Sequence, residues 1–217
     1  MPETSKNEIK WPTHKGDILI RALCTAEDIR TYTFDTQFGI YAQYKSLYTK
    51  RESLERKAAE PGANVVLATI NPGHIIGFGV LAYPDEDERW AKLGPGIMME
   101  VQALEVCRSW RSAGVAKGIL KMLLSHPKIE DKIVYLVGYS WTWDLDGSGK
   151  SAQEYRRMLM HLYESFGFRE YQTNEPNICL KTENFFMGRI GENVDKDIIT
   201  RFKWLLFDVY PDVIENG

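Results

Sequence analysis

The stretch EVCRSWRSAGVAKGILKMLL, Glu105 to Leu124, decides how the rest of the chain is read. It turns into an apolar helix at Gly114, yet the first turn is built from small residues. Arg108 and Arg111 stand just before it. A helix selected for stability alone opens on a Ser or Asp cap and keeps glycine out of its interior. Here Gly118 lies inside, at a cost of roughly 1 kcal/mol relative to alanine. A helix start exposes unpaired N–H groups and the positive end of the helix dipole. Small residues let an anion approach those groups, and Arg111 can add a bidentate contact. The stretch suits a pyrophosphate or similar group. A tight strand–helix turn with a solvated arginine accounts for the same residues, and glycine spacing alone does not choose between the two.

The flanking sequence supplies the frame. Met98–Val106 reads as the strand that leads into this helix, and Lys132–Ser140 as the next strand. Upstream, Gly16–Cys24 and Ala63–Ile70 read as strands, and His74–Tyr83 returns as the partner in an antiparallel hairpin. A helix starts after the Thr25 cap, and 41–59 reads as a polar helix. Downstream come a helix from Ser151 to about Gly167, short strands in FREYQT and NFFMGRIG, and a last helix with Ile198, Phe202, Leu205 and Leu206 at helical spacing. The order predicts an α/β fold with one mixed, mostly antiparallel central sheet. Residues 1–217 are expected to form a single domain, with 1–15 as a loosely ordered lead-in.

Bulk properties bound the function. The chain has 217 residues, enough for one well-buried core but tight for two domains. A net charge of −3 argues against nucleic acid or an anionic membrane as the main partner, since both need a concentrated basic face. No apolar run approaches the ~18 residues of a membrane span. The polar start MPETSKNEIK does not read as a secretory signal. Three scattered cysteines, Cys24, Cys107 and Cys179, suggest small buried residues in a reducing cytoplasm rather than a disulfide framework. His14, His74, His126 and His161 show no metal-ligand spacing, so no metal site is expected.

No P-loop and no dinucleotide-binding glycine pattern is present. What is present is R-x-x-G-x-A, Arg111 to Ala116. This resembles motif A of the GNAT N-acetyltransferase superfamily, which binds the pyrophosphate of acetyl-coenzyme A. LYESFGF, Leu162 to Phe168, is similar to the end of that superfamily's later helix, and the two signatures stand in the expected order. A closer likeness, to the acetoin-utilisation acetyltransferases, covers most of the C-terminal two thirds. It is carried by ERW (Glu88–Trp90), LEV (Leu104–Val106), WTWDL (Trp141–Leu145), EYRRM (Glu154–Met158), NEPNI (Asn174–Ile178) and MGRIGENV (Met187–Val194).

The resemblance implies a GNAT fold with a splayed central strand and an extra C-terminal helix. It implies acetyl-coenzyme A as co-substrate, with main-chain contacts from Leu104 and Val106. The pyrophosphate would be held by Arg111, Ser112, Ala113, Gly114, Val115 and Ala116. Acetyl transfer to an amine also needs a base for the ammonium and a proton for the leaving thiolate. By resemblance Glu100 is the candidate base. Glu105 is the alternative, although its opposite parity turns it to the other face of a regular strand. A third option is that neither serves. Tyr163 matches the superfamily's general acid, or is a packed helical tyrosine. The helix departs from the pattern at Arg156, where the superfamily often has a cofactor-contacting Asn. The loop Trp141–Lys150, with Asp144 and Asp146, either docks a basic protein segment or is anchored by its tryptophans. The implied activity is cytoplasmic protein lysine N-acetylation. The implied partner is an AMP-forming acetyl-CoA synthetase, which acetylation would inactivate. Alternatives are acetylation of a small polyamine-like amine, or a non-catalytic acetyl-CoA-binding regulatory protein.

Overall fold

The structure, a computed structural model, describes residues 7–40, 51–70 and 73–210. These fall into two compact units. One holds residues up to Ala82 with Val101–Pro127; the other holds Tyr83–Glu100 with the residues from Lys128 on. Each unit is thus assembled from two separate pieces of chain. The strand β6 (Met98–Val106) passes from one to the other between Glu100 and Val101.

In the first unit β1 (Glu8–Trp11), β2 (Ile18–Arg21), β4 (Asn64–Ile70) and β5 (His74–Ala82) form antiparallel neighbours. The short β3 (Thr33–Phe34) pairs parallel to β5. The segment expected to be loosely ordered therefore carries a strand, because Glu8–Trp11 pairs residue for residue with Ile18–Arg21. Val65, Leu67, Phe78 and Val80 pack on Ile29 of α1 (Ala26–Thr31), Phe38 of α2 (Gln37–Ile40) and Leu54 of α3 (Arg51–Ala59). The predicted Thr25 cap is present, as a capping box with Asp28. Residues 41–50 of the expected long helix, and Asn71 and Pro72 of the expected turn, lie outside the described residues.

α4 (Val115–Leu123) covers the sheet of this unit through Ile119 and Leu123. Glycines let it come close. A Cβ on Gly79 would stand 2.6 Å from Ile119 Cγ2, and one on Gly118 would collide with Ile20 and meet the Trp11 ring at 3.0 Å. Gly118 is accordingly a packing residue, and the helix-breaking cost is offset by contact with β1 and β2. At the other end of α4 the buried Asn64 side chain donates to the carbonyls of Met122 and Leu123 at 3.1 Å each, satisfying orphan groups of the last turn.

In the second unit the start of β6 pairs parallel to β7 (Ile133–Gly138), over Met98–Glu100 against Ile133–Tyr135. β7 pairs antiparallel along its whole length with β9 (Phe185–Ile190), which also takes β8 (Arg169–Tyr171). Trp90, Met98, Ile133, Tyr135, Phe186 and Phe202 form its main core with α8 (Lys196–Leu205). The WTWDL loop contains α5 (Leu145–Ser148), capped by Asp144, which accepts from Gly147 N at 3.0 Å. α6 (Ala152–Glu164) opens on a Ser151 capping box. α7 (Pro176–Cys179) completes the unit. Most strand pairs are antiparallel and the helices flank them, which is the predicted α/β class.

Candidate functional site

The site grows from the end of β6. Burial along Glu100–Leu104 alternates, with Glu100, Gln102 and Leu104 half-buried and Val101 and Ala103 buried. Period-two geometry therefore puts Glu100 and Leu104 on one face and Glu105 on the other, with Met99, Val101 and Ala103. Glu100 is also the last residue of β6 paired with β7. Beyond it the strand belongs to the first unit, where Cys107 N donates to Ile76 O at 2.9 Å.

The turn after β6 is where the arginines stand. Arg108–Trp110 forms one 3-10 turn. Ser112 then takes φ +61° and Gly114 φ +78°. A left-handed serine is costly, of order 1–3 kcal/mol, and such positions persist where surroundings impose them. Ala113 and Val115 are buried, while Ser112 is exposed and Gly114 and Ala116 are partly so. The alternation anchors the turn in the core by its odd positions and leaves the main chain of the even ones near the surface.

The start of α4 fits an anion. Gly114 is its N-cap and offers no side-chain hydrogen bond, whereas α1 and α6 both carry full capping boxes. A Cβ at Gly114 would meet nothing nearer than Trp11 Nε1 at 3.7 Å. Space, uncapped N–H groups and a positive flank coincide. The donors match a phosphate, and the N-cap residue has no side chain to occupy the helix start.

Residues far away in sequence hold this turn, and sequence reading missed them. Gln37 grips Ser109 twice: its Nε2 donates to Ser109 Oγ at 2.7 Å, and its Oε1 accepts from Ser109 N at 3.1 Å. Lys15 donates to Ser109 O and lies 5.7 Å from the Trp110 ring centroid. Asp35 accepts from Gln37 N at 2.9 Å and faces His74 Nε2 at 3.2 Å. Burial opposes the Asp35 charge, but the Gln37 N–H and His74 outweigh it and hold the carboxyl below its usual range. Burial and then Asp35 push the Cys107 thiol far up, and burial pushes Cys24 up to about 12. Both are therefore poor nucleophiles at neutral pH. Cys179, expected to be buried, is exposed.

Tyr163 sits in the second unit. It is buried near the end of α6, with its ring edge-on to Phe168 at 5.7 Å. Arg156 has a packing role: it pairs with Glu170 and lies 5.6 Å from the Phe185 ring centroid. The loop 141–150 divides. Trp143 is buried and stacked on Tyr155 at 5.3 Å, while Trp141 is 55% exposed, stacked on Tyr139 at 4.6 Å. Glu100, Leu104 and Val106 thus share one strand, and Arg111–Ala116 follow directly; Tyr163 lies on a separate element of the second unit. Among the described residues no group of three or more His, Cys, Asp or Glu is placed to hold a metal ion.

The chain as a whole is similar to known proteins. The GNAT domain of S. lividans PAT aligns at a TM-score of 0.53 and 12% identity, over 83% of this chain and 95% of that one. A GNAT-family acetyltransferase from Streptococcus pneumoniae aligns at 0.51 and 14%, over 79% and 98%. The fold is that of the GNAT-type acetyltransferases. Acetoin utilization protein AcuA of Bacillus licheniformis is 30% identical over 195 residues, 90% of this chain and 91% of that protein. AcuA of Bacillus subtilis strain 168 matches at the same identity and coverage. The crystal structure of an acetoin utilization protein from Exiguobacterium sibiricum aligns at a TM-score of 0.85 and 26% identity, over 93% of both chains. No protein-family model matches the sequence. The chain belongs to the AcuA family.

Proposed function

We propose that this protein transfers the acetyl group of acetyl-coenzyme A to a lysine of another protein, an AMP-forming acetyl-CoA synthetase, and so turns that enzyme down. The observation that carries the reading is the uncapped, glycine-opened start of α4 directly after a strand that bears Glu100. The N–H groups of Gly114 to Ala116 and the Arg111 guanidinium receive the pyrophosphate. The main chain of Leu104 and Val106 holds the thioester arm along β6. Glu100 takes the proton of the incoming ammonium. The free amine attacks the thioester carbonyl, the C–S bond breaks, the thiolate takes a proton from Tyr163, and the second proton lost by the nitrogen as the amide forms restores the phenol. Tyr163 also packs as a core residue, buried and edge-on to Phe168.

A protein acceptor is favoured by the exposed Trp141, an apolar anchor on the same loop as the exposed Asp146. Acetylation removes a lysine charge, and a synthetase that uses that cation to stabilise adenylate formation loses activity. The test mixes both proteins with acetyl-coenzyme A, follows synthetase activity and maps modified lysines by mass spectrometry. Loss of activity with one dominant acetyl-lysine supports the reading. Retained activity with rapid acetylation of free spermidine would move the assignment to small amines. No transfer to either would leave a binding protein.

A further inference from the structure

Glu88 stands outside the machinery named so far, at the turn that opens the 3-10 segment Arg89–Leu93. Its Oε2 accepts from the Tyr135 hydroxyl at 3.3 Å. Tyr135 is the ladder partner of Glu100 across β6 and β7. Partners in such a ladder project from the same face of the sheet. The tyrosine ring is fixed: it is fully buried, stacked on Phe186 at 5.5 Å and 12°, and packed on Trp90 at 5.5 Å.

A phenol has one hydrogen to give. In this structure Glu88 receives it. Toward Glu100, Tyr135 then presents lone pairs and no donor. Burial first, and the charges of Glu100 and Glu88 next, push the phenol far above its ordinary range, so it stays neutral. Burial also raises Glu88, with Asp85 and Asp87 adding repulsion against the Asp85 N–H contact. Tyr139 is pushed up to about 12 by burial, with Glu175, Glu100 and Glu88 as further causes. The adjacent Arg89 is turned to the tail: it donates to Asn174 Oδ1 at 2.6 Å and pairs with Asp208 at 3.7 Å. Among the described residues, Glu88, Glu100 and Tyr139 are thus the titratable groups that bear on Tyr135, and the neighbouring Arg89 is engaged with Asn174 and Asp208.

We propose that Glu88 is a positioning residue for Glu100. By taking the Tyr135 hydrogen it withholds a donor from Glu100 and sets a second negative charge behind it, which makes Glu100 the more willing proton acceptor. A hydrogen bond to the charged form would do the opposite, and so would loss of the like charge. The role rests on Glu100 as the base of the reaction proposed above.

The test is a carbon-13 carboxyl NMR titration of glutamate-labelled protein, with the Glu100 signal identified by its loss in Glu100→Gln. Glu88→Gln removes the charge and keeps an acceptor; Glu88→Leu removes both and frees the Tyr135 hydroxyl to turn toward Glu100. The Glu100 midpoint is expected to fall by about half a pH unit in the first and about one unit in the second. Thermal melting confirms that each variant is folded, and Glu88→Gln alone suffices if Glu88→Leu is not. A merely structural Glu88 would alter melting and leave the midpoint in place. An unmoved midpoint with an inactive Glu100→Gln overturns this proposal and spares the base. A shifted midpoint with a fully active Glu100→Gln overturns the base and spares the coupling between the two residues.

Discussion

Gly114 joins conformation and chemistry at one position. Its φ of +78° disfavours any side chain, and its surroundings leave room for one. Gly114→Ala is therefore expected to fold with a loss of about 1 kcal/mol while lowering acetyl-coenzyme A affinity by an order of magnitude or more. Gly114→Val adds β-branch strain and weakens binding further. Arg111→Ala costs less, because the main-chain donors remain. Calorimetric titration checks all three, and unchanged affinity in folded Gly114→Ala would remove the pyrophosphate from this turn. Glu100→Gln keeps shape and is expected to lower turnover by about 10²- to 10⁴-fold, with binding little changed and the deficit shrinking as pH rises. Stopped assays from pH 6 to 10 measure it. The elements that carry Glu100, Arg111 and Gly114 were legible because they are local: a strand, a turn and a helix start in one run of chain. Gln37, Lys15 and Glu88 were not, since each acts on a neighbour brought close only by folding, and no spacing in sequence marks such pairs.

Element by element, hydrophobic periodicity located β6 to the residue and the start of α4 to within one. It gave no reason for Gly118. A glycine inside a helix carries no label saying whether a ligand or a packed ring needs the space, and here Trp11 and Ile20 do. Gly118→Ala is expected to cost about 1–3 kcal/mol by overpacking against β1 and β2, visible as a lower denaturation midpoint. Gln37→Ala should behave differently. It releases Ser109 and loosens the turn, so acetyl-coenzyme A affinity should drop several-fold with a stability loss near 1 kcal/mol. Equal affinity in wild type and Gln37→Ala would show that the turn is held without it. The family landmarks also acquire physical roles. ERW and NEPNI meet through Arg89 and Asn174, and Asn174 in turn binds Phe207 O at 2.8 Å. MGRIGENV pins the segment before β7, through Arg189 to Glu130 and Asn193 to Asp131.

At the scale of the whole molecule, each unit is built from two chain segments, and β6 belongs to both. A sequence pattern shows strands and helices but not which of them share a core, so the two-unit organisation was not legible. Acid stability follows from paired carboxylates in both units. Arg189 chiefly holds Glu130 below its ordinary 4.5, and Thr25 and Arg21, against the opposing effect of burial, hold Asp28 below 3.8. Lowered carboxylates stabilise above their unfolded values, and that stability is lost as pH falls through the folded ones. Melting temperature should therefore decline below about pH 4.5, and Glu130→Gln should flatten part of that decline. The central claim is that acetyl-coenzyme A is held by the end of β6, the turn and the start of α4. Hydrogen–deuterium exchange over the full chain, with and without acetyl-coenzyme A, tests it most directly. Slowed exchange is expected to concentrate in peptides covering 101–118. Slowed exchange confined to other segments, with this stretch unchanged at saturating ligand, would contradict it.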